Sequence, residues 1–515
     1  MPLTTFVSIF HHPLSTKNMF SRRHLPFQIF ILVFVAAMFF PRVLPEGMFP
    51  DGLTYASIAR NMAEGRGGFW SPYFSSSFWI PFQGNEYQFY GHPTLAMGAL
   101  SLFYSVFGDH WFVEKIFSIL VWAISVWLFV QLWMVNAREK SLWWLPMFVW
   151  YLMPIVLWSY PYFILDNSMA MFSTATAIMI LRGIKKTDTS DSSFILRYST
   201  FIIAGILLHL AFLTKGPVGL FPLAIPLLYS HYFTKINPYR SAILQTILLS
   251  VVCFGTLALW FFYEPARFFW AKYFDVQLIS SIADNDQTEQ YSWKEYLDLP
   301  KNLLLQLLPM LGVTLIIVAF SKIKKVRFGF IDDSHRLAAL YFVIGLSGSL
   351  PMMISHKTSA HYLIPCLPFW AIGFGVWFED TFISWFNKLR ISPKKTRKAN
   401  LIMLFIAICV AIYSILQIGK VAREREIIHD MAILRGVIPD GAKVCVCDSM
   451  MKHFNYHAYF QRYHRWELAH LSDTLPVFLI ESKGFCLPSE LDTANTHFKN
   501  IKIDGLQKFQ VYKRW

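Results

Sequence analysis

The sequence predicts a polytopic α-helical membrane protein that ends in a small α/β domain. Three observations carry this reading: an apolar, aromatic-rich composition, a train of apolar runs long enough to cross a bilayer, and basic residues confined to alternate connections. Of 515 residues, 55% are hydrophobic and 17% aromatic, and only 15% are charged. Soluble domains carry about 25% charged residues. Here Phe (49), Trp (18) and Tyr (23) fill the deficit, and these side chains suit bilayer cores and interfaces. The formal net charge is +14, but the cations lie between apolar runs instead of forming a basic, aromatic-interleaved module. They read as topology signals and lipid-phosphate contacts. A nucleic-acid partner is not expected.

The first apolar run covers about 26–44, after Lys17, Arg22, Arg23 and His24. It is long enough to span and lacks a small-residue cleavage site, so it reads as an uncleaved helix. Further runs follow at about 112–135, 143–161, 165–182, 198–214, 216–232, 242–263, 302–320, 337–354, 361–378 and 400–418. That makes roughly eleven spans, or up to about thirteen if ambiguous segments are added. The apolar stretch 94–108 is expected to lie along the interface. With a cytoplasmic N-terminus, the inside connections hold Arg138/Lys140, Arg182/Lys185/Lys186, Lys235/Arg240, Lys322/Lys324/Lys325/Arg327 and a cluster from Lys388 to Lys398. All are basic, as the positive-inside rule requires. An odd number of spans then leaves the C-terminal tail outside. The expected division is a transmembrane domain, 1–419, with outer loops 46–93 and 264–301, and an extracytoplasmic α/β domain, 420–515. No internal repeat is evident.

Six cysteines stand at 253, 366, 409, 445, 447 and 486. The first three fall in apolar segments. Cys445 and Cys447 lack nearby metal-ligand partners; they are either thiols or, if the region faces an oxidising compartment, one of them pairs with Cys486, and the sequence leaves both alternatives open.

Candidate chemistry lies in the outer segments. The stretch MFPDGLTYASIARNMAEGRG contains Asp51, then Leu53, Tyr55, Ile58, Ala59 and Met62 at helical spacing. That pattern predicts an amphipathic helix on the membrane surface. Asp51 is either its N-cap or a carboxylate placed to take a proton from an acceptor hydroxyl. His92, before Pro93, marks either a helix entrance or a phosphate or metal ligand. Asp166, in PYFILDNSMAMFS, is an ionisable group at the outer boundary of two spans. It is a functional candidate by its cost, with a helix cap as the alternative. Lys215, in the Lys-Gly-Pro turn, either snorkels or meets a lipid phosphate. His356, Lys357 and His361, in SHKTSAHYLIP, add positive charge at the same face. With Arg60, His92 and Lys215 they are expected to form a cationic ring for an anionic leaving group or its carrier. Tyr362 and Trp370 also read as interfacial belt aromatics. No Walker loop, G-x-G-x-x-G or H-E-x-x-H is present, so cytosolic nucleotide chemistry has no visible home.

Taken in order, DGLTYASIARNMAEG, YGHPTL, LDNSMAMF and the pair FLTKGPV and SHKTSAHYLIP resemble the motifs of GT-C membrane glycosyltransferases. Protein O-mannosyltransferases and lipid A aminoarabinose transferases are the nearest in pattern, over roughly residues 26–380. The resemblance implies a polyprenyl-phosphate sugar donor, a lipid, glycan or protein acceptor, and inversion at the anomeric carbon. It implies Asp51 as base, Asp166 as support for acceptor or donor sugar, and Lys215 and Arg60 facing the phosphate. Tyr55, His92, His356, Lys357, His361 and Tyr362 complete the expected substrate contacts. Two departures stand out: the usual second acid after Asp51 is Gly52, and the acidic-basic pair of the aminoarabinose branch is Gly91-His92. No metal site and no cofactor are expected, and a divalent metal is not required. The expected location is a bacterial inner membrane. A transporter or flippase of a lipid-linked or anionic solute is the alternative; it would carry ionisable groups near the bilayer midplane and repeat symmetry. A non-catalytic anchoring protein, with the tail as binding element, is the third reading.

Overall fold

The computed structural model describes residues 23–77, 88–187, 194–279, 297–323, 332–354, 359–388, 392–471, 476–487, 490 and 497–514. His356 and Lys357 lie outside these. Among the described residues, seven helices are long and apolar enough to cross a membrane. They include Leu25–Val43 (α1), Val113–Asn136, Tyr239–Phe262 and Pro393–Ile415. The other apolar runs are broken or carry more polar groups, for local reasons. The run expected at 143–161 is split between Trp144–Leu152 and Pro154–Ser159, because Pro154 pushes Met153 into an extended conformation. The run expected at 216–232 begins as a 3-10 segment, Pro217–Ala224, with Pro222 inside it, before Ile225–Tyr232. Leu95–Phe107 has 13 residues. At 1.5 Å per residue it reaches about 20 Å, short of the ~30 Å hydrocarbon core.

Basic side chains gather at one end of the bundle. Arg23 bonds Asn387, Arg138 pairs with Asp380, Arg182 donates to Gln131, and Lys185 reaches the Val135 carbonyl. The opposite end holds the first loop and the C-terminal domain. There Pro50–Ala63 (α2) starts at Phe49, whose extended backbone precedes a Pro at the first turn. Asp51 therefore lies within the first turn and is not the N-cap. Nor does α2 float on a surface with one wet face. Pro50 and every residue from Gly52 to Asn61 are buried, between Leu95–Phe107 on one side and the C-terminal domain on the other.

The C-terminal domain holds Arg425–Leu434, Phe454–His464 (α3) and a five-stranded mixed sheet. In chain order its strands are Lys443–Cys445 (β1), Glu467–Ala469 (β2), Phe478–Ser482 (β3), Phe498–Ile501 (β4) and Phe509–Arg514 (β5). The spatial order is β2-β1-β3-β5-β4, with β1 parallel to β2 and β3, and β5 antiparallel to β3 and β4. Cys447 is disulfide-bonded to Cys486, while the Cys445 thiol lies 3.3 Å from the His470 carbonyl oxygen, to which it donates. The domain's core is continuous with the first loop: Met48, Leu53, Ile58 and Phe163 join Ile427, Met431, Tyr459 and Trp466 in one buried cluster.

Candidate active site

Asp51, Asp166, Lys215, His361, Tyr362, His92 and Tyr55 come together where the bundle meets α2. Asp166 sits in the first turn of Leu165–Thr187, so the cap alternative does not hold for it either. Lys215 closes Phe194–Lys215, and the two meet in a buried ion pair at 2.6 Å, Lys215 Nζ to Asp166 Oδ2. The same ammonium lies 4.2 Å from the centre of the Tyr362 ring. His361 Nε2 is 3.9 Å from Asp166 Oδ2, and its Nδ1 is 2.8 Å from the Ser359 hydroxyl. His92 and Tyr55 stack edge to face at 5.8 Å. Asp166 Oδ1 is buried and has no hydrogen-bond partner among the described residues. A buried carboxylate oxygen left in that state is costly unless a ligand supplies a donor.

Asp51 is half-buried in this cluster. Burial raises its carboxyl pKa to about 6, with Lys215 pulling it down and Asp166 pushing it up. A carboxylate tuned towards neutrality is a stronger base than an ordinary one and still largely ionised at pH 7. Burial holds His92 well below the ordinary histidine range, and Lys215 and His361 add to that. Burial brings His361 down to about 4, against the pull of Asp166. Both imidazoles are therefore neutral at pH 7.

Gly52 explains the missing second acid. A Cβ there would lie 2.9 Å from the Phe163 carbonyl oxygen. This close approach seats the first turn of α2 against the segment that leads to Asp166, so any side chain at 52 would force the two apart.

The expected cationic ring takes a different form. Arg60 is not in it. Its guanidinium, almost fully buried, donates to the Gln461 and Arg462 carbonyls at 2.9 and 3.1 Å and to Gln461 Oε1 at 3.1 Å. It thus fastens α2 to α3 of the C-terminal domain. Nearby, Arg462 pairs with Asp109 at 2.8 Å and Glu114 at 3.0 Å, and Tyr459 donates to the Met48 carbonyl at 3.0 Å. Of the remaining cations, Lys215 is already paired and the two described histidines are neutral. The described cluster is thus two carboxylates around one ammonium, lined by neutral hydrogen-bond donors. Trp158, not among the residues expected from the sequence, joins this cluster: its ring lies 6.5 Å from His361 and 5.1 Å from Phe49. Nothing in its local sequence separates it from other belt aromatics.

Among the described residues no group of three or more His, Cys, Asp or Glu could hold a metal ion.

No family model and no curated protein matches the chain. Among solved structures, it is similar to ArnT, the lipid A aminoarabinose transferase, from Cupriavidus metallidurans bound to undecaprenyl phosphate. The likeness covers 94% of this chain and 97% of that one at 13% identity, with a TM-score of 0.63. The chain has the GT-C fold. The apo form of the same ArnT is also similar, at 13% identity, 94% and 96% coverage and a TM-score of 0.58. The archaeal oligosaccharyltransferase AglB from Archaeoglobus fulgidus, in complex with an inhibitory peptide and a dolichol-phosphate, follows at 10% identity, 95% and 74% coverage and a TM-score of 0.48. In this GT-C chain the acid-lysine cluster lies at the end of the bundle capped by the sheet domain, the end opposite its basic side chains.

Proposed function

We propose that the chain is a membrane glycosyltransferase that moves a sugar from a polyprenyl-phosphate donor to an acceptor hydroxyl or phosphate, with inversion. The observation that carries this is the Asp51–Asp166–Lys215 cluster, gathered at one end of the bundle with one buried carboxylate oxygen unpaired among the described residues. The undecaprenyl phosphate bound to the similar ArnT supports a lipid-linked donor. A transporter would need ionisable groups near the bilayer midplane, which this end-on arrangement does not favour.

In the proposed reaction Asp51 takes the proton of the acceptor O–H. The acceptor oxygen forms a bond to the anomeric carbon from the face opposite the phosphate. The bond from that carbon to the phosphate oxygen breaks, and its electron pair stays on the phosphate. Asp166 Oδ1 accepts a hydrogen bond from a sugar hydroxyl, with Lys215 fixing its orientation through Oδ2. Lys215 also faces the departing phosphate, while neutral His92 and His361 donate N–H groups to it. Tyr55 and Tyr362 line the sugar. Protonation of Asp51 removes one negative charge from the cluster in the same step that the phosphate gains one. No nucleotide is needed, because a sugar phosphate already carries its leaving group.

The basic end is read as cytoplasmic, with the cluster and the C-terminal domain extracytoplasmic in a bacterial inner membrane. The Cys447–Cys486 disulfide suits that assignment. The test is transfer by purified protein from radiolabelled polyprenyl-phosphate sugars to a membrane extract. Label recovered in a new product, with release of polyprenyl phosphate, is expected. Passage of the intact donor across a liposome bilayer without transfer would replace this reading with the transporter.

A further inference from the structure

Arg423 lies in the short segment between Pro393–Ile415 and the C-terminal domain, and its guanidinium takes no part in the chemistry described above. It packs over two aromatic rings, 5.3 Å from the centre of Phe49 and 6.0 Å from that of Tyr162. Among the described residues no carboxylate lies within ion-pair distance of it. The adjacent acid, Glu424, faces Lys508 at 3.8 Å.

The backbone beneath this side chain is fixed. Glu46 N–H donates to the Lys420 carbonyl at 2.8 Å, and Ala422 N–H donates to the Glu46 carbonyl at 2.9 Å. Gly47 follows with φ of +98°, where a Cβ would come within 3.0 Å of the Arg423 carbonyl oxygen. Only glycine fits this approach without strain. Arg423 is therefore held by the same loop that carries Phe49 and Asp51. Lys115, 5.7 Å from the Tyr162 ring centre, adds a second cation, although its ammonium is committed to the Gly47 carbonyl at 2.9 Å.

From Arg423 a continuous aromatic wall runs to the candidate active site. Phe49 meets Trp158 at 5.1 Å, Trp158 meets Tyr162 at 5.6 Å, and Trp158 reaches His361 at 6.5 Å, next to Asp166. Phe49, Trp158, Tyr162 and Arg423 are all partly exposed, so each keeps surface that a ligand can reach. A guanidinium laid on aromatic rings keeps its N–H fork free for an oxyanion, which it can bind through two parallel hydrogen bonds. Flat aromatic faces beside it give the apolar face of a sugar ring a rigid surface.

We infer that Arg423, with Phe49, Trp158 and Tyr162, forms an acceptor subsite for an anionic sugar headgroup, one that carries a phosphate or carboxylate. The inference rests on the glycosyltransferase reading and deepens it. The wall begins at Phe49, two residues before Asp51, beside the segment that joins the last helix to the C-terminal domain, whereas the donor phosphate is assigned to Lys215 and the Tyr362 turn. The two anions of the reaction are thus received by different cations, and the acceptor hydroxyl is carried to the base by the ring between them.

The test uses the full chain in nanodiscs and three probes: glucosamine 6-phosphate, glucosamine and undecaprenyl phosphate. Wild type is expected to bind the phosphosugar at least about tenfold more tightly than glucosamine, as a charge-assisted fork requires. Arg423→Gln is expected to abolish that difference and Arg423→Lys to restore part of it, with undecaprenyl phosphate affinity unchanged in both. Equal wild-type affinity for the two sugars would overturn the subsite, as would phosphosugar binding untouched in Arg423→Gln. A loss confined to undecaprenyl phosphate would assign Arg423 to the donor and overturn it too. Failure of wild type to bind undecaprenyl phosphate would strike the glycosyltransferase reading instead.

Discussion

Replacing Lys215 by Met should leave Asp166 without any donor. Its Oδ2 accepts only from Lys215 among the described residues, at 2.6 Å, and its Oδ1 is already unpaired. At that separation, with an effective dielectric of 20, the gross attraction is about 6 kcal/mol. Part of this is offset in wild type by the cost of burying both charges. Removing one partner of a buried pair typically costs about 3–5 kcal/mol, and a loss of that size is expected here. The double variant Lys215→Met/Asp166→Asn removes the stranded charge and should recover most of it, since a neutral amide tolerates the site better. The assay is thermal unfolding of the four proteins in the same detergent, read as a double-mutant cycle. An unchanged Lys215→Met melt, or a double variant no better than the single, would refute the ion pair as the organiser of this end of the bundle.

Other consequences are open to measurement. Because the Asp51 carboxyl is raised to about 6, its protonated form dominates below that pH and cannot accept a proton. Transfer should therefore be level above about pH 6 and fall about tenfold per unit below it; a rate that is flat down to pH 4.5 would exclude Asp51 as base. Arg462→Ala strands Glu114, which it holds at 3.0 Å. The expected cost is about 3–5 kcal/mol, seen as faster proteolytic release of the C-terminal domain, and unchanged protease resistance would contradict the docking role. The Cys447–Cys486 bridge closes a loop between residues 39 apart. Its removal in Cys447→Ser/Cys486→Ser should cost up to about 4 kcal/mol on the chain-entropy estimate, measured as an earlier domain unfolding transition.

Much of the site was legible because sidedness orders residues without needing their contacts. Alternating basic loops put Asp51, His92, Asp166, Lys215 and His361 at one end, and the structure brings them together there. Arg60 was misassigned although helical geometry argued against it. It follows Asp51 by nine positions, which at about 100° per residue turns it to the far side of α2, while Tyr55, four positions on, stays on the same face. The burial of α2 was not legible at all, since it depends on partners remote in the chain: Arg60 and Gln461 are 401 positions apart. The breaks at Pro154 and Pro217 follow from local proline chemistry and could have been read from the residues alone.

The most direct measurement is sugar transfer from a radiolabelled polyprenyl-phosphate donor by wild type, Asp51→Asn and Asp166→Asn, each checked for an unchanged melt. Loss of the base should slow transfer by about 10²–10⁴-fold, and Asp166→Asn should also be strongly impaired. Full activity in both variants would mean that the buried carboxylates serve packing alone and that the chemistry lies elsewhere.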